Sequence, residues 1–413
     1  MAKRKSKQKE NRAKWWQLLL LGLLIAIPIV GYVVTRADKQ PQTVDSSRSD
    51  SLTSLISPLL FDTIATYNKI GVYVYDLTEE QVLYNHLGTE PMIPASCIKL
   101  LTAAASYKYL GLDYAFADSL FISGKIDNGT LKGDVYFKAD YDPLFVSFDS
   151  LLIHGLKERS IEKIDGNVIV HLPVKPPFDY HNSWAANDIK EKRMPLLMKG
   201  DEVVRNSLVD ELKKQKIVFT NKAVLGDVPL HSDCVYATQH TIREVLVPVL
   251  LRSNNILAEL LFSRLSTLGE GSNIIYRFME EELHHNNLEF TVNDGSGLSV
   301  DNRVSAQFLC DVLHYAFEHK ELFDLFINKG LPKSGDPEQR GTLGHRMEGT
   351  IAEGRIWGKT GTLPSKGAFS RAGYCHGINN HWYAYAVLSE GANKNGIRAL
   401  TDSVCIQIAG FDY

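Results

Sequence analysis

Three short strings, far apart in the chain, constrain this fold more than any other feature: Ser96-Cys97-Ile98-Lys99, Ser253-Asn254-Asn255 and Lys359-Thr360-Gly361. Each sits on a different kind of segment. Ser96 follows Pro94-Ala95 and precedes Leu100-Leu101-Thr102-Ala103-Ala104-Ala105, which predicts that it opens a helix. Ser253 falls between two helical patterns, His240–Leu251 and Ile256–Ser266, and Lys359 ends a strand-like run from Arg355. Only folding can gather three such sites, and element ends facing one cleft are where functional groups meet. Two other S-x-x-K strings lack this setting. Ser6 lies in a lysine-rich tail and Ser160 in a polar turn before Ile164-Asp165-Gly166.

The chain has 413 residues, enough for two or three domains with a real core, and its net charge of −3 gives no reason to expect nucleic acid as a partner. The basic residues are uneven, however. Lys3, Arg4, Lys5, Lys7, Lys9, Arg12 and Lys14 crowd the start, and Trp15–Val34 follows without a charge. About 20 residues of helix span about 30 Å, the thickness of a bilayer core. With the basic flank first, the chain reads as a cytoplasmic tail (1–14), a single-pass inner-membrane anchor (15–34) and a linker (35–51), with the body in the periplasm. Trp15 and Trp16 then sit at the inner headgroup level. A cleaved signal peptide is the rival, but no small-x-small cleavage site follows the run. The five cysteines are an odd number without C-x-x-C spacing; Cys97 reads as a small packed residue, turned away from Ser96 along the helix.

The body divides by texture. Leu52–Lys69 has helical spacing, and Gly71–Tyr75 with Gln81–Tyr84 alternates like a hairpin. The Ser96 helix ends near Leu110-Gly111. Short strand-like pieces separated by Asn and Gly then predict an inserted, β-rich domain at 116–233, which splits the main domain into 52–115 and 234–413. A helix over Ser305–Glu318, strands at Phe369–Tyr374 and Trp382–Leu388, and a closing helix at Ile397–Ile408 complete the second part.

The residue types suit one chemistry. A serine hydroxyl needs a nearby base to become a nucleophile. Ser96 and Lys99, three apart on a helix, share a face. A lysine serves as base when desolvation or a neighbouring cation lowers its affinity for the proton, and Lys359 is such a cation. Lys359 would also attract a substrate carboxylate, with Thr360 and Thr362 adding hydroxyl donors and Gly361 leaving room at the strand edge. Ser253 can relay a proton to a leaving amine, and Asn255 can hold Lys99. Two backbone amides, those of Ser96 and Thr362, are candidates for an oxyanion hole. No cofactor or metal is called for. The His284-His285 pair has no ligand spacing and reads as solvent-facing.

On these residues the chain resembles the D-alanyl-D-alanine carboxypeptidase/endopeptidases of the class C low-molecular-mass penicillin-binding proteins. Pro94-Ala95-Ser96-Cys97-Ile98-Lys99, Ser253-Asn254-Asn255 through Glu259, Asn293-Asp294-Gly295-Ser296-Gly297-Leu298-Ser299 and Gly358-Lys359-Thr360-Gly361-Thr362 carry the likeness, along with Ile164-Asp165-Gly166-Asn167. The resemblance implies an α/β sandwich of a mainly antiparallel sheet between helices, of the transpeptidase/β-lactamase kind, with the inserted domain near the Ser96 helix. It implies hydrolysis of peptidoglycan stem peptides or cross-links, and covalent capture of β-lactam antibiotics. Departures exist. The family usually has Gly-Asp-Pro in the insert where this chain has Tyr141-Asp142-Pro143, and the insert looks shortened between Trp184 and Val203. Asp142 is expected either to bind the ammonium of a diamino residue in the substrate or to cap a turn. Asp294, among glycines, either serves the cleft or shapes its turn. A serine β-lactamase or esterase on the same fold is an alternative, though no string supplies an obvious deacylating glutamate. An idle wall-associated scaffold is the other, against which the three intact strings argue.

Overall fold

Period and capping shape the described chain. The computed structural model describes residues 46–61, 69–172, 183–184, 195–268, 273–286, 289–339, 341–391 and 394–412. The expected tail and anchor, 1–34, lie outside them. Among the described residues no helix is long and apolar enough to cross a membrane. One unit runs from Arg48 to Tyr413. The first helix, α1 (Ser46–Leu60), already starts inside the expected linker. It buries Leu52, Ile56 and Leu60, a stripe at helical spacing. The hairpin β1 (Lys69–Asp76) and β2 (Gln81–His86) follows. Then comes a 3₁₀ turn, Ala95–Ile98, that runs into α2 (Lys99–Leu110). Gly111, at φ +81°, ends α2 by donating back to its last turn.

The middle of the chain holds β3 (Ala115–Ile122), β4 (Lys125–Asp127), β5 (Thr130–Lys132), β6 (Val135–Lys138), α3 (Asp149–Gly155), β7 (Lys163–Ile164), β8 (Val168–His171), α4 (Asp201–Lys214), β9 (Val218–Phe219), β10 (Ala223–Leu225) and β11 (Asp233–Thr241). These strands form two sheets of their own, in the orders β10-β8-β6-β3-β11 and β4-β5-β7-β9. The helices α3 and α4 were not anticipated. α4 buries only Val204, Leu208 and Leu212 of its 14 residues, a sparse stripe easily lost among charges.

Four capped or packed helices precede the last strands: α5 (Ile242–Leu251), α6 (Asn255–Ser266), α7 (Asn273–Glu281) and α8 (Ala306–Glu318), with the short α9 (Lys320–Leu325) after them. Thr241 and Glu244 form a capping box on α5, and Ser305 Oγ accepts from Phe308 N at 3.0 Å to cap α8. The chain closes with β12 (Ile356–Leu363), β13 (Ala368–His376), β14 (Trp382–Glu390) and α10 (Lys394–Ala409).

The central sheet has the order β12-β13-β14-β1-β2 and is antiparallel throughout. Both faces are covered, so alternation sorts apolar residues between two cores. Along β14, Tyr383, Tyr385 and Val387 pack toward α1 and α10, while Ala384, Ala386 and Leu388 pack toward α2, α5, α6 and α8. This is the expected sandwich. It leaves β12 as an edge strand beside the start of α2, and the site lies there.

Candidate active site

The Ser96 turn is held by close backbone packing. Ala95, just before the serine, is in the left-handed region at φ +44°. A side chain at Gly361 would strike Ser370 Oγ, the Pro94 carbonyl and Ala95, so the glycine lets the turn dock on β12. The serine turn fills the space on the Cβ side of Gly361, and the glycine also lines the cavity beside Ser96. A side chain at Gly297 would strike the Ala95 carbonyl and Ser96 N, so a second glycine admits the loop 294–302 against the same turn. Cys97 points inward, its thiol on the Lys359 carbonyl at 3.1 Å, and burial holds that thiol protonated.

The three strings meet. Lys99 is fully buried and its Nζ lies 3.0 Å from Ser96 Oγ and 2.7 Å from Asn255 Oδ1. It also donates to the Ser296 carbonyl. Two carbonyl-type acceptors thus direct two of its N–H bonds. When Lys99 loses one proton, its lone pair faces the serine hydroxyl. The central residue of the second string explains the local geometry. Asn254 Oδ1 accepts from Leu257 N at 3.1 Å and caps α6, so Asn255 becomes the first helical residue. Ser253 is turned out of the helix at φ +56°.

A cavity of about 410 Å³ opens beside these groups, lined in part by Ser96, Ser253, Asn255, Thr360, Gly361 and Thr362. Lys359 is buried behind it, with Nζ donating to the Thr360 carbonyl at 2.8 Å. Burial pushes its pKa down to about 8. Thr360 Oγ1 donates to Thr342 Oγ1 at 2.9 Å. Gly358 N donates off the sheet edge to the Pro332 carbonyl. By the two-residue period of an unbroken strand, the Thr360 and Thr362 amides point off that same edge, toward the cavity.

Asp142 is not brought to this cavity. Its Oδ1 accepts from Leu144 N at 2.9 Å and its Oδ2 engages His240 Nδ1. Its side chain is wholly buried in that pairing, which is the turn-capping arrangement, away from the cavity beside Ser96. His285 is also not solvent-facing: it sits against Phe290 and Phe308, with Nε2 2.7 Å from Asp311 Oδ2.

The loop 294–302 supplies groups that the motif reading did not place. Asp294 is buried and accepts from Gly297 N, Ser299 N, Asn302 Nδ2 and Trp184 Nε1. That shapes the loop and presents the Ser296 carbonyl to Lys99. Glu259, one turn after Asn255 on α6, accepts from Ser296 N at 2.7 Å. Burial, reinforced by the charge of Asp294, pushes its carboxyl up to about 8. The available signal was its spacing: four residues after Asn255 puts it on the same helix face.

A family model described as the D-Ala-D-Ala carboxypeptidase 3 (S13) family matches residues 52–197 and 194–405. The chain belongs to this family. It is therefore a serine-type hydrolase of the S13 class, and the penicillin-binding relationship read from the motifs holds. The S13 chain is 24% identical, over 94% of its length and 90% of the relative's, to a D-alanyl-D-alanine carboxypeptidase from Actinomadura sp. (strain R39). In fold it is similar to penicillin binding protein 4 from Haemophilus influenzae, with TM-score 0.67 and 18% identity over 86% of this chain and 97% of that one. It is also similar to a predatory peptidoglycan endopeptidase from Bdellovibrio bacteriovorus, with TM-score 0.61 and 16% identity over 83% and 94% of the two chains.

Proposed function

We propose that this S13 enzyme cleaves peptidoglycan stem peptides or cross-links through an acyl-enzyme on Ser96. The observation that carries the reading is Lys99 Nζ at 3.0 Å from Ser96 Oγ while Asn255 and Ser296 hold its other hydrogens. Lys99 takes the hydroxyl proton as Oγ attacks the penultimate D-alanine carbonyl. The oxyanion is received by the amides of Ser96 and Thr362. Ser253 passes a proton to the departing amine. Water then attacks the ester by the reverse route. Lys359 and the Thr360 and Thr362 hydroxyls recognise the carboxylate beside the scissile bond. A β-lactam carries a similar carboxylate and acyl group, and acylates the same serine.

We place the body outside the cytoplasm, tethered by Trp15–Val34, because its substrate is there and the basic flank precedes the apolar run. The segment between the paired strands β3 and β11 is, in this reading, the inserted domain at 116–233. Mass analysis of muropeptides after digestion tests the activity. Loss of D-alanine from pentapeptides or opening of dimers by wild type, absent in Ser96→Ala, is expected. If wild-type digests match untreated controls, the reading is lost. Steady turnover of a chromogenic cephalosporin, in place of a stoichiometric burst, would move the assignment to a β-lactamase.

A further inference from the structure

The cavity beside Ser96 carries a charge that the reaction above does not use. Arg252, Arg346, Arg371 and Arg398 all line it, and among the described residues no aspartate or glutamate does. Behind the wall, Asp402 Oδ2 accepts from Arg346 Nη2 at 2.6 Å and its Oδ1 from Arg371 Nη1 at 2.8 Å. One carboxylate against two guanidiniums leaves positive charge over. Arg346 also donates to the Arg398 carbonyl at 2.9 Å, which ties the loop before β12 to α10. Arg252 and Arg398 are exposed, and among the described residues neither has an ion-pair partner.

The position of this charge follows from the sheet. Thr360 pairs with Arg371 across β12 and β13, so both side chains fall on the α10 face. Arg371 therefore lies beside Thr360, with Arg346 and Arg398 joined to it through Asp402 and α10, while Arg252 lines the cavity from the connection between α5 and α6. The cavity runs from Ser96 over the edge of β12 onto that face, on the side assigned above to the leaving group.

We infer that this arm of the cleft is an anion subsite for a leaving group with more than one carboxylate, the acceptor stem of a peptidoglycan cross-link. The inference rests on the proposed reaction and narrows its substrate. A departing D-alanine has one carboxylate, which Thr360, Thr362 and Lys359 suffice to receive. An acceptor stem whose bridging residue is a diamino dicarboxylic acid keeps a carboxylate beside its departing amine and bears others further along the peptide. A cleft wall of one sign concentrates and orients such a polyanion.

The test compares kcat/KM for a cross-linked dimer and for a pentapeptide, using the full chain in detergent. A second dimer has its acceptor-stem carboxylates amidated. Penicillin acylation serves as the folding control for every variant. Each exposed arginine removed lowers the dimer-to-pentapeptide ratio about two- to fivefold, and Arg252→Gln with Arg398→Gln together about tenfold. Amidating the dimer lowers the wild-type ratio by a similar factor and abolishes the effect of the substitutions. Added salt lowers the ratio as well, because exposed charges are screened. A ratio unmoved in the double variant, or equal for free and amidated dimers, overturns the subsite while acylation still upholds the reaction. A wild type that takes no penicillin defeats the reaction, and the subsite with it.

Discussion

Lys99 Nζ and Asn255 Oδ1 lie 2.7 Å apart across 156 residues of chain. The amide oxygen is one of the two acceptors that leave the amine aimed at Ser96. Removing it frees Lys99 to swing and strips a buried hydrogen bond worth about 1.5–3 kcal/mol when one partner is charged. Asn255→Ala is expected to lower the second-order rate of penicillin acylation roughly tenfold or more. Stopped-flow or gel labelling with a fluorescent penicillin measures it. A rate equal to wild type would detach Asn255 from Lys99 in function.

Lys359 predicts an alkaline limb. Burial brings its pKa down from 10.5 to about 8, so the cation proposed to receive a substrate carboxylate is lost as pH rises through about 8. The unfolded chain binds that proton up to about 10.5, so the same group makes the fold more stable with rising pH across this window. The kcat/KM for a stem peptide should fall above pH 8, and Lys359→Arg should carry the limb to higher pH. A limb that stays in place in the variant assigns it to another group.

Glu259 has the opposite sign. Its folded pKa of about 8 lies above the ordinary 4.5, so its favourable contribution is complete below about 4.5 and is lost as pH rises through 8. Glu259→Gln keeps an acceptor for Ser296 N and cannot ionise. It should gain stability relative to wild type as pH rises from 5 to 9, followed by denaturant melts, while acylation by penicillin persists. Glu259→Ala leaves Ser296 N without its acceptor and should slow acylation about tenfold. Identical pH dependence of stability in wild type and Glu259→Gln would refute the assignment.

Asp142→Ala separates fold from chemistry. The substitution uncaps the turn at Leu144 and strands His240, at a cost of about 1–3 kcal/mol. Urea melts should show this loss, with penicillin acylation within twofold of wild type. A normal melt combined with weakened stem-peptide cleavage would return Asp142 to substrate binding.

Local signals carried far along this chain. The Ser305 cap and the alternation of β13 and β14 are written in neighbouring residues, because capping and pleat have short periods. The meeting of Ser96 and Lys99 was legible because three residues along a helical turn fix it. Which of the two readings of Asp142 is realised was not legible, because its partner, His240, stands 98 residues away on β11. Ser296 was missed as a partner of Lys99 because its carbonyl is backbone, identical in every residue type. Its placement depends on Asp294 and on the two glycines that let the loop and β12 close on the Ser96 turn.

By itself, then, the sequence determined the sandwich and the family and named the groups proposed to react, since side-chain chemistry and periodicity are local properties. The tertiary structure alone decided which oxygens hold Lys99, where Asp142 is spent and that four arginines line one cleft. Those depend on distances between residues far apart in the chain, and such distances exist only once packing has set them.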